Sequence, residues 1–351
     1  MDRHAANKLL VARFLNEIAD GNDLVATLAR HCHADCQWEI FHPFNSILGL
    51  EAVATQFWQP LRSALPDYEQ RFGCVIGGSY EGREQVSTLG HVIGTFDAPW
   101  MGIPATRNIA FLRFGFNAVI RDGRIAKAYI LLDIVDLMRQ AGVYPFRRMP
   151  GSPEQWPLPP LDTGATALAC DEDTGAATMT IVREMQHGLP KPEEIATLAT
   201  APSKHSHHWH PNMNWYGPAG IGSMRGQRGF RDFHGALFLQ AFPDRSGLPR
   251  VAGGPEDAPG HYIQLGDGNY AVTGGWPSLK ATHLGPEWLG LPPTGRKVEM
   301  RVADWYRVDA AGLIIDNWVM MDIPHIVAQM GLDILHDLRF IVDPACERWP
   351  E

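Results

Sequence analysis

The stretch ILLDIVDLMRQAG, residues 130–142, returns near the far end of the chain as VMMDIPHIVAQMG, residues 319–331. Both copies set an aspartate behind an apolar run and directly ahead of a helical pattern that closes in Gln-x-Gly. The likeness spreads well beyond these segments. Trp38, Gly49 and Pro66-Asp67 are answered by Trp215, Gly226 and Pro243-Asp244, and His31-x-His33 by His208-x-His210, all 177 residues later. Further on, Arg107, Gly123, Asp133, Gln140 and Gly142 match Arg296, Gly312, Asp322, Gln329 and Gly331 at a separation of 189. The growth in separation places an insertion in the second copy, in the Gly- and Pro-rich SGLPRVAGGPEDAPG, 246–260. A chain that repeats itself this way must build the same fold twice. Each copy is long enough to bury its own core. The predicted division is a first domain over 1–146, a linker over 147–175 and a second domain over 176–351. Prolines in RRMPGSPEQWPLPPLDTGAT, 147–166, make that linker extended and semi-rigid.

Within the first copy, residues 6–19 carry a helical stripe, 24–30 a second short helix, and 50–64 an amphipathic one. Strands are predicted at 36–41, 68–76, 84–93, 107–117 and 124–132, separated by Gly-rich turns. The second copy repeats the order, with strands at 261–265, 269–275, 296–308 and 313–321. Helices first, then antiparallel strands, then a terminal helix is an α+β plan in which a curved sheet wraps around helices. GDGNYAVTGG, 266–275, lacks the lysine and following helix of a phosphate loop and reads as a turn and strand.

Net charge narrows the partners. At −9 with no basic run, the chain offers little to a phosphate backbone, so no nucleic-acid partner is expected. No run of 18 apolar residues suggests a membrane span. The opening MDRHAANKLL shows no signal-peptide pattern, and five cysteines, an odd number, favour reduced thiols. A cytoplasmic setting is the expectation.

Asn317-Trp318-Val319-Met320-Met321-Asp322, followed by Gln329-Met330-Gly331, resembles the SnoaL-like polyketide cyclase family within the cone-shaped NTF2-like superfamily. The first copy departs from the pattern at Tyr129 and Ala141 but keeps Asp133 in register. The resemblance implies two tandem α+β cones that supply each other's dimer partner within one chain, with further homo-oligomerisation open. It also implies an intramolecular aldol cyclisation without metal or organic cofactor, in which Asp322 and Asp133 take the acid/base role on a hydrophobic carbonyl substrate.

Elementary chemistry accommodates that role. One carboxylate can remove a proton next to a carbonyl and later return it to oxygen, provided apolar walls raise its pKa toward working pH. On a strand, residues two and four before the aspartate share its face. Trp318 and Met320 would then line the cavity of Asp322, and Tyr129 and Leu131 that of Asp133. The competing reading is a helix N-cap, which aspartate ahead of an apolar helix favours, with Pro324 just inside. Trp38, Trp215 and Trp305 are candidate ligand contacts or core. His31, His208 and His210 are candidates for the pocket mouth. The clusters KHSHHWH and His31/Cys32/His33/Cys36 could be written as zinc sites, but only the His-x-His is shared, no Cys recurs and no nearby carboxylate is common to both copies, so no metal is expected. Arg107 and Arg296 are expected to pair with Asp97 and Asp304 on the surface. The second copy is favoured as the working site, its insertion serving as a lid. A non-catalytic binder of a hydrophobic molecule, or a hydrolase or dehydratase on the same fold, stays open because fold does not fix chemistry.

Overall fold

The first helix, α1 (Arg3–Asp20), buries Val11, Phe14, Leu15 and Ile18 at helical spacing. It opens a plan that runs twice through the chain. In the computed structural model of the protein, the described residues are 2–20, 23–147, 149–160, 169–188, 204–247 and 261–338. After α1 come α2 (Leu24–His31), β1 (Cys32–Ile40), β2 (Asn45–Leu48), α3 (Leu50–Val53), a π-turn (Ala54–Trp58) and α4 (Gln59–Ala64). Four long strands follow, β3 (Glu69–Tyr80), β4 (Arg83–Thr95), β5 (Ile109–Arg121) and β6 (Arg124–Leu132), then α5 (Ile134–Gln140).

The second domain repeats this with α6 (Glu172–His187), β7 (Trp209–Tyr216), β8 (Met224–Arg225), α7 (Gly226–Phe230), a π-turn (Arg231–Gly235) and α8 (Ala236–Ala241). Its remaining elements are β9 (Ser246–Gly247), β10 (His261–Asp267), β11 (Tyr270–Thr282), β12 (Lys297–Val308), β13 (Ile314–Met321) and α9 (Ile323–Met330). The sheets have the same order, β2-β1-β6-β5-β4-β3 and β8-β7-β13-β12-β11-β10, with β9 against β11. In each, the first strand runs parallel to the last, β1 with β6 and β7 with β13, and the other neighbours are antiparallel. The expected α+β architecture, two curved sheets wrapped around helices, is the one observed.

One face of each sheet covers its own helices, and the other meets the partner domain. Trp305 of β12 projects onto the first sheet, where its Nε1 donates to Ser87 Oγ at 2.8 Å. Residue 115 must be small there: a Cβ on Gly115 would lie 2.6 Å from the Trp305 ring and 3.2 Å from Met320 Sδ. A second tie is ionic. Lys8 of α1 is wholly buried, and its Nζ meets Asp267 of β10 at 2.5 Å while also donating to the Ala169 carbonyl. Such a pair, taken out of water, holds only with its remaining polar atoms satisfied. Asp267 duly accepts from the backbone N–H of Gly77 and Asp171.

The described part of the linker touches both domains, the first through Arg113, which donates to the Pro153 carbonyl, and the second through the bonds that follow. Gly151 N donates to Ile221 O, Ser152 pairs with Ser223, and Trp156 Nε1 donates to Tyr216 O. Of the predicted lid, 246–260, all but Ser246 and Gly247 falls outside the described residues. No helix among the described residues is long and apolar enough to cross a membrane.

Candidate active site

The two repeated aspartates end their strands at the seam between domains. Asp133 caps α5, its Oδ1 accepting from Asp136 N at 3.2 Å, while its Oδ2 accepts from Arg113 Nη1 at 2.9 Å and from Ala219 N of the other domain at 2.8 Å. Asp322 mirrors every bond. Its Oδ1 accepts from His325 N at 3.2 Å, and its Oδ2 from Arg301 Nη1 at 3.0 Å and His42 N of the first domain at 2.9 Å. Burial, the largest influence on Asp133, pushes its carboxyl up, and the Arg113 guanidinium opposes it. Helix cap, ion pair and interdomain tie thus meet in one side chain, in each copy.

The residues expected to wall these carboxylates share their face, as the strand period requires, but that face is the interdomain one. Trp318 stacks on Tyr216 with ring centres 5.3 Å apart and donates to the Pro157 carbonyl of the linker. Met320 approaches Gly115 of the other domain. Tyr129 packs on Trp276 of the second domain at 5.8 Å and under the Lys127 ammonium, and Leu131 is buried. Trp305 faces the same seam. The structure therefore brings Asp133, Asp322, Trp305, Trp318, Met320, Tyr129 and Leu131 together as an interface, outside both cone interiors.

The histidines do not converge. His31 is held by Glu17 at 2.9 Å, His33 by the Arg121 carbonyl at 2.8 Å, and His210 Nδ1 accepts from Asn212 N at 3.0 Å. His208 closes a short 3-10 turn, Lys204–His208. A groove of about 400 Å³ lies beside Arg113, lined also by His91, Phe111, Asp136, Arg139 and Trp156. Two of its polar groups are already engaged, Arg113 with Asp133 and Pro153 O, and Asp136 with Arg139 and Gln140.

Inside the cones the two copies part company. In the first, Phe14, Trp38, Trp58 and Phe116 are fully buried against one another, with ring centres 6.0–6.3 Å apart, and fill the interior. Register identifies their counterparts. Phe116 pairs with Ile130, three residues before Asp133, and Asp304 pairs with Val319, three before Asp322. By the same count Ala118 and Ala128 correspond to Tyr306 and Asn317. The two π-turns end in Trp58 and Gly235. Where the first cone has two large rings, the second has a carboxylate and a glycine.

Asp304 is the site's central group. Two rows of polar and aromatic side chains surround it: Tyr306 lies beside it on β12, Asn317 on β13, Thr273 opposite it on β11, and Gln186 of α6 donates to Thr273 Oγ1 at 2.9 Å. Desolvation lifts the Asp304 carboxyl to about 7, with Asn317 and Tyr306 pulling weakly the other way. Burial and the neighbouring Asp304 charge push the Tyr306 phenol well above its ordinary range. The walls are aromatic. Trp209 meets Tyr306 and Phe230, and Trp215 meets Phe230 and His234, whose ring stacks on it at 4.2 Å. The expected surface pair of Arg296 with Asp304 is thus replaced: Asp304 belongs to the cone interior because β12 turns that residue toward α6. Of the predicted contacts, Trp215 lies in this site and Trp38 in the filled first cone.

No family model and no curated protein matches this chain. Solved structures are similar to it over part of its length. A protein from Jannaschia sp. CCS1 designated a SnoaL-like polyketide cyclase is 18% identical, with 39% of this chain and 94% of that one covered and a TM-score of 0.34. IdmH of Streptomyces antibioticus, designated a polyketide cyclase, is 20% identical over 39% of this chain and 98% of its own, with a TM-score of 0.33. AclR of Streptomyces galilaeus, designated a hydroxylase, is 14% identical over 41% and 86%, with a TM-score of 0.35.

Proposed function

We propose that the chain is a cofactor-independent enzyme of the cyclase or isomerase kind, acting on a hydrophobic carbonyl compound in the second cone with Asp304 as acid/base. One observation carries this reading: a carboxyl brought to about 7 stands in an aromatic-walled interior at the position where the first copy has Phe116. Near neutral pH such a group is populated in both forms, which is what removing a proton and then returning it demands. As carboxylate, Asp304 takes a proton from carbon next to the substrate carbonyl, and the bonding pair becomes the enolate. That carbon then attacks a second carbonyl or is reprotonated elsewhere, and the carboxylic acid delivers its proton to the oxygen or carbon that closes the cycle. Asn317 and Tyr306 hold the carboxyl, and the rings of Trp209, Trp215 and Phe230 exclude water and seat an apolar body. The first domain, its interior filled, completes the fold.

The test is deuterium exchange at the α-carbon of 2-tetralone, a small apolar ketone, followed by proton NMR. Asp304→Asn is expected to lower the protein-dependent exchange by about a hundredfold or more, the range for a lost general base, while tetralone still binds. A protein that binds tetralone without exchanging its α protons would be a binder, and the catalytic reading would fall.

A further inference from the structure

His234 sits on the second π-turn, at the position that Phe57 occupies in the first. Phe57 is one more ring in a packed aromatic core. His234 instead stacks flat on Trp215 at 4.2 Å and 20°, with Phe230 and Phe238 at its edges, and neither ring nitrogen is hydrogen-bonded to a described residue. Gly235 beside it stands in place of Trp58, and a Cβ there would meet the Phe230 ring at 3.4 Å. The stacking partner places the ring relative to Asp304. Trp215 pairs in register with Asn317, and Asn317 with Tyr306, so two strand spacings, about 10 Å, separate the wall beneath His234 from the strand of Asp304.

We propose that His234 is a second catalytic residue of this cone, a neutral imidazole that donates its N–H to the substrate's carbonyl oxygen across the gap from Asp304. The proposal rests on Asp304 being the base. As Asp304 takes the α proton, the C–H pair forms the enolate double bond and the carbonyl pair moves onto oxygen, where the His234 N–H holds the charge without giving up its proton. A neutral imidazole has one donor nitrogen and one acceptor. Burial lowers the His234 imidazole to about 3, so it remains a donor of that kind at any working pH and cannot neutralise Asp304 by forming an ion pair. A preorganised donor in a dry site is among the larger sources of rate enhancement.

Binding of 2-naphthol, a stable mimic of the enol of 2-tetralone, tests this in the full chain by fluorescence titration at pH 7. His234→Phe keeps the stack on Trp215 but removes the donor and is expected to weaken naphthol binding by about tenfold, the range for a lost buried hydrogen bond. His234→Gln keeps an N–H donor and is expected to stay within about threefold of the wild type. Asp304→Asn is expected to bind at least as tightly as the wild type. A His234→Phe protein that binds naphthol as the wild type does, or a wild type with no saturable binding, overturns the proposal. Naphthol binding that depends on His234, in a protein whose tetralone exchange survives Asp304→Asn, supports the His234 contact while removing Asp304 as the base.

Discussion

Asp304 is an acid whose folded-state pKa, about 7, lies above its ordinary 3.8. The fold therefore favours its protonated form, and the stability that form contributes is present below about pH 4 and lost as pH rises toward 7. Asp304→Asn cannot ionise, so urea unfolding at pH 5 and pH 8 is expected to show the variant gaining on the wild type as pH rises. The opposite trend would place the carboxylate among charge-stabilising partners. Little in the sequence singles this residue out. A constant separation of 189 aligns Asp304 with Gly115, an outward position, whereas the register aligns it with Phe116. The β12–β13 hairpin as a whole holds one more residue than its counterpart, from Arg301 to Asp322 against Arg113 to Asp133, and that single residue moves the comparison from one sheet face to the other. The readable signal was a polar trio, Asp304, Tyr306 and Asn317, facing apolar equivalents.

At the scale of elements, the strand-end aspartates show how a correct local reading can miss the place. Their position before an apolar helix, and the sharing of a face with Trp318, Met320, Tyr129 and Leu131, were legible. That the face meets the other domain was not, because periodicity distinguishes two faces of a strand without saying what covers each. Strand limits came close for the same reason: the predicted 124–132 and 313–321 are observed as Arg124–Leu132 and Ile314–Met321. Removing Asp322 takes from Arg301 its carboxylate partner, leaving it Asn45 and Trp276, strands the His42 N–H in the seam and uncaps α9. Asp322→Ala is expected to cost about 3–5 kcal/mol in chemical unfolding, as loss of one partner of a buried ion pair does. Tetralone exchange per folded molecule should survive. Exchange abolished at unchanged stability would instead make Asp322 the base.

The whole molecule is built from two copies of one fold. The first copy lines its cone with packed aromatic rings and the second sets a carboxylate among polar and aromatic side chains, while reciprocal bonds, Asp133 to Ala219 and Asp322 to His42, with Lys8 and Asp267, join them. The tandem plan was legible from the repeat, and its separation of 177 already sets Trp58 against Gly235, but the pairing of Phe116 with Asp304 is set by three-dimensional register alone. Two substitutions separate the roles. Trp58→Ala is expected to cost about 3–5 kcal/mol of stability and leave exchange per folded molecule intact, and Gly235→Trp is expected to abolish exchange by filling the second cone, with equal effects of both contradicting the division. The most direct measurement of the central claim is a carboxyl-carbon NMR titration of the intact protein, with Asp304→Asn identifying the resonance. A midpoint near 7 for Asp304 is the predicted result, and a midpoint at or below 4 would mean a solvated or ion-paired carboxylate and would contradict the second cone as an acid/base site.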